Sequence, residues 1–199
     1  MDFYINEIVS FLKTILKTLY TSLIHPYLSY GIEVWHGTYQ NNTSKIFVLQ
    51  EKAIRAINNL ANNEHTNAYF KCNKILKLSD QYKLQVSNYI FRVLHSNIDE
   101  EIESSLLINN QIYCHNTKTN NQMSILRVNR SKTQHFALHN AMITWNSLPD
   151  IFKVNLSFSM FKSKVRNFYL HGKRLENIDA GRHYDCIFSD MLATAVFQL

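Results

Sequence analysis

Ile8-Val9-Ser10-Phe11-Leu12-Lys13-Thr14-Ile15-Leu16-Lys17-Thr18-Leu19-Tyr20-Thr21-Ser22-Leu23-Ile24 is the stretch on which the fold turns. Its apolar residues come in pairs, Ile8-Val9, Phe11-Leu12, Ile15-Leu16, Leu19-Tyr20 and Leu23-Ile24, spaced to fall on one face of a helix. Lys13, Thr14, Lys17 and Thr18 fall on the other face. The two lysines break up the run too often for a membrane span, which needs about 20 predominantly apolar residues. Met1-Asp2-Phe3-Tyr4 lacks the basic head of a secretion signal. The expectation is a soluble intracellular protein, of cytoplasm or nucleus, with no membrane partner.

The next residues extend the helical reading. Pro26 suits the first turn of a new helix, where its missing N–H costs nothing. Tyr27 to Trp35 reads either as a kinked continuation or, from its Tyr, Ile, Val and Trp content, as a strand. Asn41-Asn42-Thr43-Ser44 supplies N-cap side chains for a helix over Lys45–Leu60, with a buried stripe of Ile46, Leu49, Ala53, Ile57 and Leu60. A short helix follows at Thr66–Lys74. Another starts at Ser79-Asp80 and turns Leu84, Ile90, Val93 and Leu94 inward.

Beyond residue 108 the pattern changes. Residues 109–122 are polar and aperiodic and read as a linker. Ile125-Leu126-Arg127-Val128 has room for a short strand. A helix over Thr133–Trp145 stops before Pro149, and a last one carries Phe161, Val165, Phe168 and Tyr169 up to Gly172. The fold class is therefore mostly α: a helical bundle over 1–108, a smaller basic helical part over 109–172, and an unassigned tail at 173–199.

Composition agrees. Apolar residues make up 46% of the 199 and charged residues 18%, enough to bury a core. Gly occurs 4 times and Pro twice, against usual shares of about 7% and 5%. That scarcity argues against a turn-rich β architecture and against a Gly-rich phosphate loop. The formal net charge of +6 is unevenly spread. Residues 96–108 hold Asp99, Glu100, Glu101 and Glu103 with no base, whereas residues 109–170 set eight Lys and Arg against Asp150 alone. A segment of that kind suits a polyanion.

Little in the chain points to catalysis or metal. Cys72, Cys114 and Cys186 are odd in number and far apart, which fits a reducing compartment better than a disulfide framework. His135 and His139 stand four apart, a spacing that zinc accepts. The stretch lacks the Glu of a metalloprotease helix, and no second Cys flanks Cys114, so no metal and no cofactor are expected. Lys71 and Lys74 beside Cys72 would favour its thiolate, yet an inert, half-buried thiol is the plainer reading.

Three separated blocks resemble one family, the reverse transcriptases of non-LTR retrotransposons, jockey-like elements above all. Leu19-Tyr20 through Pro26, Leu28-Ser29-Tyr30-Gly31 and Trp35 is similar to a block lying downstream of that family's polymerase site. Leu49-Gln50-Glu51-Lys52-Ala53-Ile54-Arg55 resembles the helix that follows it. Trp145-Asn146-Ser147-Leu148-Pro149, with Arg127 and Arg130 before it and Phe161-Lys162 after, resembles an element near the end of those polyproteins. Order and rough spacing agree over residues 11–172, although His139-Asn140 stands where the family usually carries a glycine. The resemblance implies that residues 1–108 are thumb-like and that the parent activity is RNA-directed DNA polymerisation.

Polymerisation needs clustered carboxylates to hold two Mg²⁺ ions, which the family places in an aromatic-x-Asp-Asp hairpin. No Asp-Asp pair occurs in this chain. What the resemblance implies is thus a non-catalytic C-terminal fragment, not an enzyme on its own, with at most sequence-nonspecific binding to the backbone of RNA or DNA. Arg127, Arg130, Lys132 and Lys118 are the densest basic group and the first candidates for phosphate contacts. Lys162, Lys164 and Arg166 extend the track, and Lys52 and Arg55 are candidates on the thumb side. Tyr30, Trp35 and Trp145 have the chemistry to stack on bases but at helical spacing read as core. Trp-Asn-Ser-Leu-Pro itself reads as a turn, with Trp145 inward and Asn146 or Ser147 bonding backbone. Other expected partners are the rest of a reverse transcriptase or another helix. The competing readings are a helical protein-interaction module and a decaying copy without selected function.

Overall fold

The computed structural model describes residues 2–37, 40–96, 106, 122–125, 137–153 and 156–171. Among these residues the chain is mostly helical and contains no strand. The first helix, α1, runs Asp2–Leu19 and passes through one π turn, Tyr20–Ile24, into α2, His25–Ser29. Two local causes account for that wide turn. Pro26 has no N–H to return to the carbonyl four residues back, and its ring crowds that carbonyl. Thr21 and Ser22 also donate their hydroxyls to the Thr18 carbonyl at 2.9 and 2.7 Å, loosening the ladder just upstream. The His25 N–H reaches back to the Tyr20 carbonyl instead.

The segment Tyr27–Trp35 is helical, so its strand alternative is excluded. After α2 the chain reverses at Gly31, whose φ of +59° suits glycine best, and resumes as α3, Ile32–Trp35. The Trp35 indole donates to the Tyr30 carbonyl at 2.9 Å and locks the turn. Three helices follow: α4 at Gln40–Asn58, α5 at Asn67–Cys72 and α6 at Leu78–Ser96. Last come α7 at Ala137–Asn146, a 3₁₀ turn at Asp150–Phe152 and α8 at Phe158–His171.

The middle of the molecule is α6, against which α2, α3, α7 and α8 all pack. Leu84, Val86, Ile90, Phe91 and Val93 are buried there, and so are the polar Gln81, Ser87 and Asn88, because helices cover α6 on several sides. Phe161 of α8 stacks on Phe91 with ring centroids 4.2 Å apart and lies 5.9 Å from Trp145 of α7. Each such side chain removed from water contributes roughly 1.5–3 kcal/mol. This core joins residues on both sides of the boundary expected at 108/109: Ile32 and Ile90 share it with Trp145 and Phe161. Charge and composition change at that boundary, whereas the apolar interior runs across it. Residues 109–121, the acidic run 99–103 and the tail 173–199 lie outside the described residues. So does most of the expected strand, of which only Ile125 is described, outside regular structure.

A smaller cluster, Tyr20, Ile54, Ile57, Phe70 and Ile75, ties the end of α1 to α4 and α5. Its polar centre is Gln50, 3% exposed. The Gln50 amide donates to Tyr20 Oη at 2.9 Å and to the Leu76 carbonyl at 3.0 Å, and its oxygen accepts from the Leu78 N–H at 2.9 Å. The expected stripe of α4 holds at Ile57, with Ile46 and Ala53 packed against the core, but Leu49 is 62% exposed, and Gln50 and Ile54 point inward. A glutamine can take a core position when it satisfies backbone groups that would otherwise be orphaned at the start of α6.

Trp145-Asn146-Ser147-Leu148-Pro149 is a helix end with Trp145 buried. Asn146 pairs with both backbone groups of Met123, accepting from its N–H at 2.8 Å and donating to its carbonyl at 2.9 Å. Ser147 donates to the Thr144 carbonyl at 2.6 Å.

The expected helix Ile8–Ile24 exists, but its apolar face has no cover among the described residues. Ile8, Val9, Phe11, Leu12, Ile15, Leu16, Leu19 and Leu23 are all exposed, Phe11 by 65%. Lys13 and Lys17, on the face expected to meet water, are half-buried. No described helix is long and apolar enough to cross a membrane.

Candidate nucleic-acid interface

Of the residues expected to hold a polyanion, Lys118, Arg127, Arg130 and Lys132 lie outside the described residues. Lys162, Lys164 and Arg166 are exposed on α8. Phe161, Val165 and Phe168 fix which side of α8 is buried. Helical geometry then sets Lys162 and Arg166, four apart, on one flank and Lys164 on the other. The three do not form one row. Lys52 is exposed on α4. Arg55 serves the fold: its guanidinium lies 3.7 Å from Glu51, and its Nε donates to the Glu64 carbonyl at 3.2 Å, closing the turn after α4.

Arg166 is not alone on its flank. It faces a cleft of about 310 Å³ that also takes in Lys17 from α1, Lys74 from the end of α5, and His25, Asn73 and Gln81. The Arg166 Nη2 donates to the Lys74 carbonyl at 3.1 Å, which joins α8 to the α5–α6 connection. Among the described residues no carboxylate lines the cleft. The ion pairs among the described residues, Arg55–Glu51, Lys83–Asp80 and Lys153–Asp150, involve none of its cations. Burial pushes the His25 imidazolium toward deprotonation, and the nearby Arg166 charge adds to that, against a small opposing hydrogen bond with Gln81. His25 is thus a neutral wall group at pH 7, and the positive charge comes from Lys17, Lys74 and Arg166.

Backbone geometry makes Lys74 unusual. The Ile75 N–H bonds the Phe70 carbonyl and the Lys74 N–H bonds the Lys71 carbonyl, both at 3.0 Å, the double closure of a Schellman cap. The residue in the left-handed position, φ +56°, is Lys74. A glycine there avoids a cost of roughly 1–2 kcal/mol that a β-carbon incurs. The matching cap of α4 puts Asn59 at φ +51°, a residue that tolerates the conformation. Neither Lys17 nor Lys74 carries a sequence signal for this site. Lys17 reads as the wet side of an amphipathic helix, and a left-handed lysine looks like any other lysine in sequence.

Tyr27 and Tyr30 stand 84% and 87% exposed on α2 and the turn after it. Tyr30 is therefore not core, in contrast to the buried Trp145; Trp35 is half-buried. Leu28 and Ile32 pack this short segment against the bundle, with its tyrosines outward. Among the described residues no three His, Cys, Asp or Glu side chains gather as metal ligands. His139 is half-buried on α7 and His135 lies outside the described residues, as do Cys114 and Cys186; Cys72 is half-buried. Compared with protein-family models, with curated proteins and with solved structures, the chain matches none.

Proposed function

We propose that this chain is a non-catalytic C-terminal piece of a non-LTR retrotransposon reverse transcriptase that holds nucleic acid through its phosphate backbone without reading bases. The observation that carries the reading is the cation arrangement on α8. Lys162 and Arg166 are exposed on one flank, Lys17 and Lys74 approach Arg166 from other elements, and no described carboxylate pairs with any of them. Guanidinium and ammonium groups so disposed suit phosphate oxygens, and phosphate contacts give affinity without sequence preference. The three sequence blocks supply the family, and the missing Asp-Asp pair supplies the lack of polymerase chemistry.

The test is titration of a labelled single-stranded oligonucleotide at several salt concentrations. Three phosphate contacts predict a roughly twenty-fold loss of affinity between about 50 and 200 mM salt, since log K falls by about 0.7 per contact per decade. Base composition should change the affinity little. No binding at 50 mM salt, or binding that salt leaves unchanged, overturns the reading.

A second reading, a protein-interaction module, is favoured by the bare apolar face of α1, where Ile8, Phe11, Leu12 and Leu23 are each more than half exposed. Patches of that extent mark protein contacts. Light scattering decides whether the face pairs with itself: a dimer that persists at high salt supports self-pairing, and a monomer at every concentration removes it.

A further inference from the structure

The cleft between α1, the α5–α6 connection and α8 is lined by three cationic residues from distant parts of the sequence: Lys17, Lys74 and Arg166. We propose that it is a phosphate seat, which takes a phosphodiester of a nucleic-acid strand between the two ammonium groups and the guanidinium. This rests on the nucleic-acid reading above and adds to it the site, with two residues, Lys17 and Lys74, that the basic tracks of the sequence leave out.

Three observations carry the assignment. Among the described residues, the lining of the cleft includes three cationic residues and no acidic one. A cleft lined by charges of one sign focuses their field and raises the local concentration of anions. Its volume, about 310 Å³, lies at the small end of the range for ligand sites, roughly 300–1,000 Å³. That is room for one phosphate with its flanking sugar, and too little for a folded partner.

The second observation is the conformation of Lys74. A left-handed lysine closes the cap of α5, where glycine would adopt the same φ without strain. Strain kept at one residue points to a task for that residue, and Lys74 lines the cleft. The third is the way Arg166 is held. Its Nη2 is spent on the Lys74 carbonyl at 3.1 Å, so the guanidinium is fixed in direction before any ligand arrives. Five donors in a planar fork leave others for phosphate oxygens. Asn73 and Gln81 line the same cleft and add neutral amides.

Glycine at position 74 gives a direct experiment, because it removes the cation, keeps the carbonyl that Arg166 uses, and relieves the strained φ. Lys74→Gly should melt at or above the wild-type temperature. In the same salt titration it should bind the single-stranded oligonucleotide roughly five- to ten-fold more weakly at about 50 mM salt, with the salt slope smaller by about 0.7. Lys17→Gln should reproduce both changes and serves as the second variant should Lys74→Gly fold poorly. Lys71→Gln removes an equal charge three residues away, outside this cleft, and should lower affinity less than two-fold with the slope unchanged. If Lys74→Gly and Lys17→Gln both behave like Lys71→Gln while the wild type binds with a steep salt dependence, the seat is wrong and the backbone-binding reading stands. If the wild type itself fails to bind, the backbone-binding reading fails, and the seat falls with it.

Discussion

Helices α1 and α8 are written in the same amphipathic pattern and meet opposite fates. On α8 the apolar stripe, Phe161, Val165 and Phe168, is buried against α6, and the cations are left in water. On α1 the apolar residues are in water while Lys13 and Lys17 are half-buried. Periodicity of 3.6 states that a segment is helical and which of its faces is greasy. It does not state that the same chain supplies the cover. On α8 the apolar stripe finds its partner among the described residues; on α1 it does not, although α1 touches α4 and Tyr20, in the π turn that follows, is buried with Ile54 and Phe70.

The sharpest way to break that contrast is a pair of matched truncations. Phe161→Ala removes a fully buried ring stacked on Phe91 and should cost about 3–5 kcal/mol in urea unfolding. Phe11→Ala, at a ring 65% exposed, should change stability by less than about 0.5 kcal/mol. Equal losses in the two variants would mean that α1 is covered in solution and that the two helices are alike after all.

A smaller effect separates the two neighbours on α4. Gln50→Leu keeps the volume and strands the Leu78 N–H and the Leu76 carbonyl, which at 1–3 kcal/mol for each orphaned group predicts a loss of about 3 kcal/mol. Leu49→Gln should be silent within about 0.5 kcal/mol, because Leu49 faces solvent. The reverse ranking would restore the stripe that hydrophobicity alone suggests.

The smallest expected effect is a pH slope. His36 stacks on Tyr82, with ring centroids 4.3 Å apart, and burial followed by the Lys83 charge lowers its pKa below the ordinary 6.5. His25 is lowered as well, by burial and then by Arg166. A histidine with a depressed folded pKa is protonated first in the unfolded chain. Stability is thus fully present above 6.5 and declines as pH falls from there toward the folded pKa. The Asp80 carboxyl, raised above 3.8 by burial, has the opposite sign and acts at lower pH. Melting temperature should therefore drop between pH 7 and pH 5.5, and His36→Asn should flatten that slope. A flat wild-type profile would show that both histidines take up protons as readily folded as unfolded.

Much of the fold was readable from residue order. The turn at Pro26, the start of α6 near Ser79, and the inward positions Leu84, Ile90, Val93, Phe161, Val165 and Phe168 all follow from local propensity and period. Two kinds of feature were not readable. Gln50 is a core residue because of backbone groups at 76 and 78, and no scale of hydrophobicity encodes orphaned groups more than twenty positions away. The cleft escaped for a related reason. Lys17, Lys74 and Arg166 are dispersed along the chain, and charge counting over a window favours the stretch 109–170 over any site assembled from three elements.

By itself the sequence determined that this protein is helical, which residues can line a core, that an Asp-Asp pair is missing, and that its net positive charge lies downstream of residue 108. Those are properties of composition and of neighbours within a turn or two, where propensity and period act. Tertiary structure alone decided that the core crosses the 108/109 boundary, that Asn146 completes the backbone of Met123, that the apolar face of α1 has no cover among the described residues, and that three separated cations line one cleft. Each of these depends on which surfaces meet, and such meetings are set by packing between elements remote in the chain.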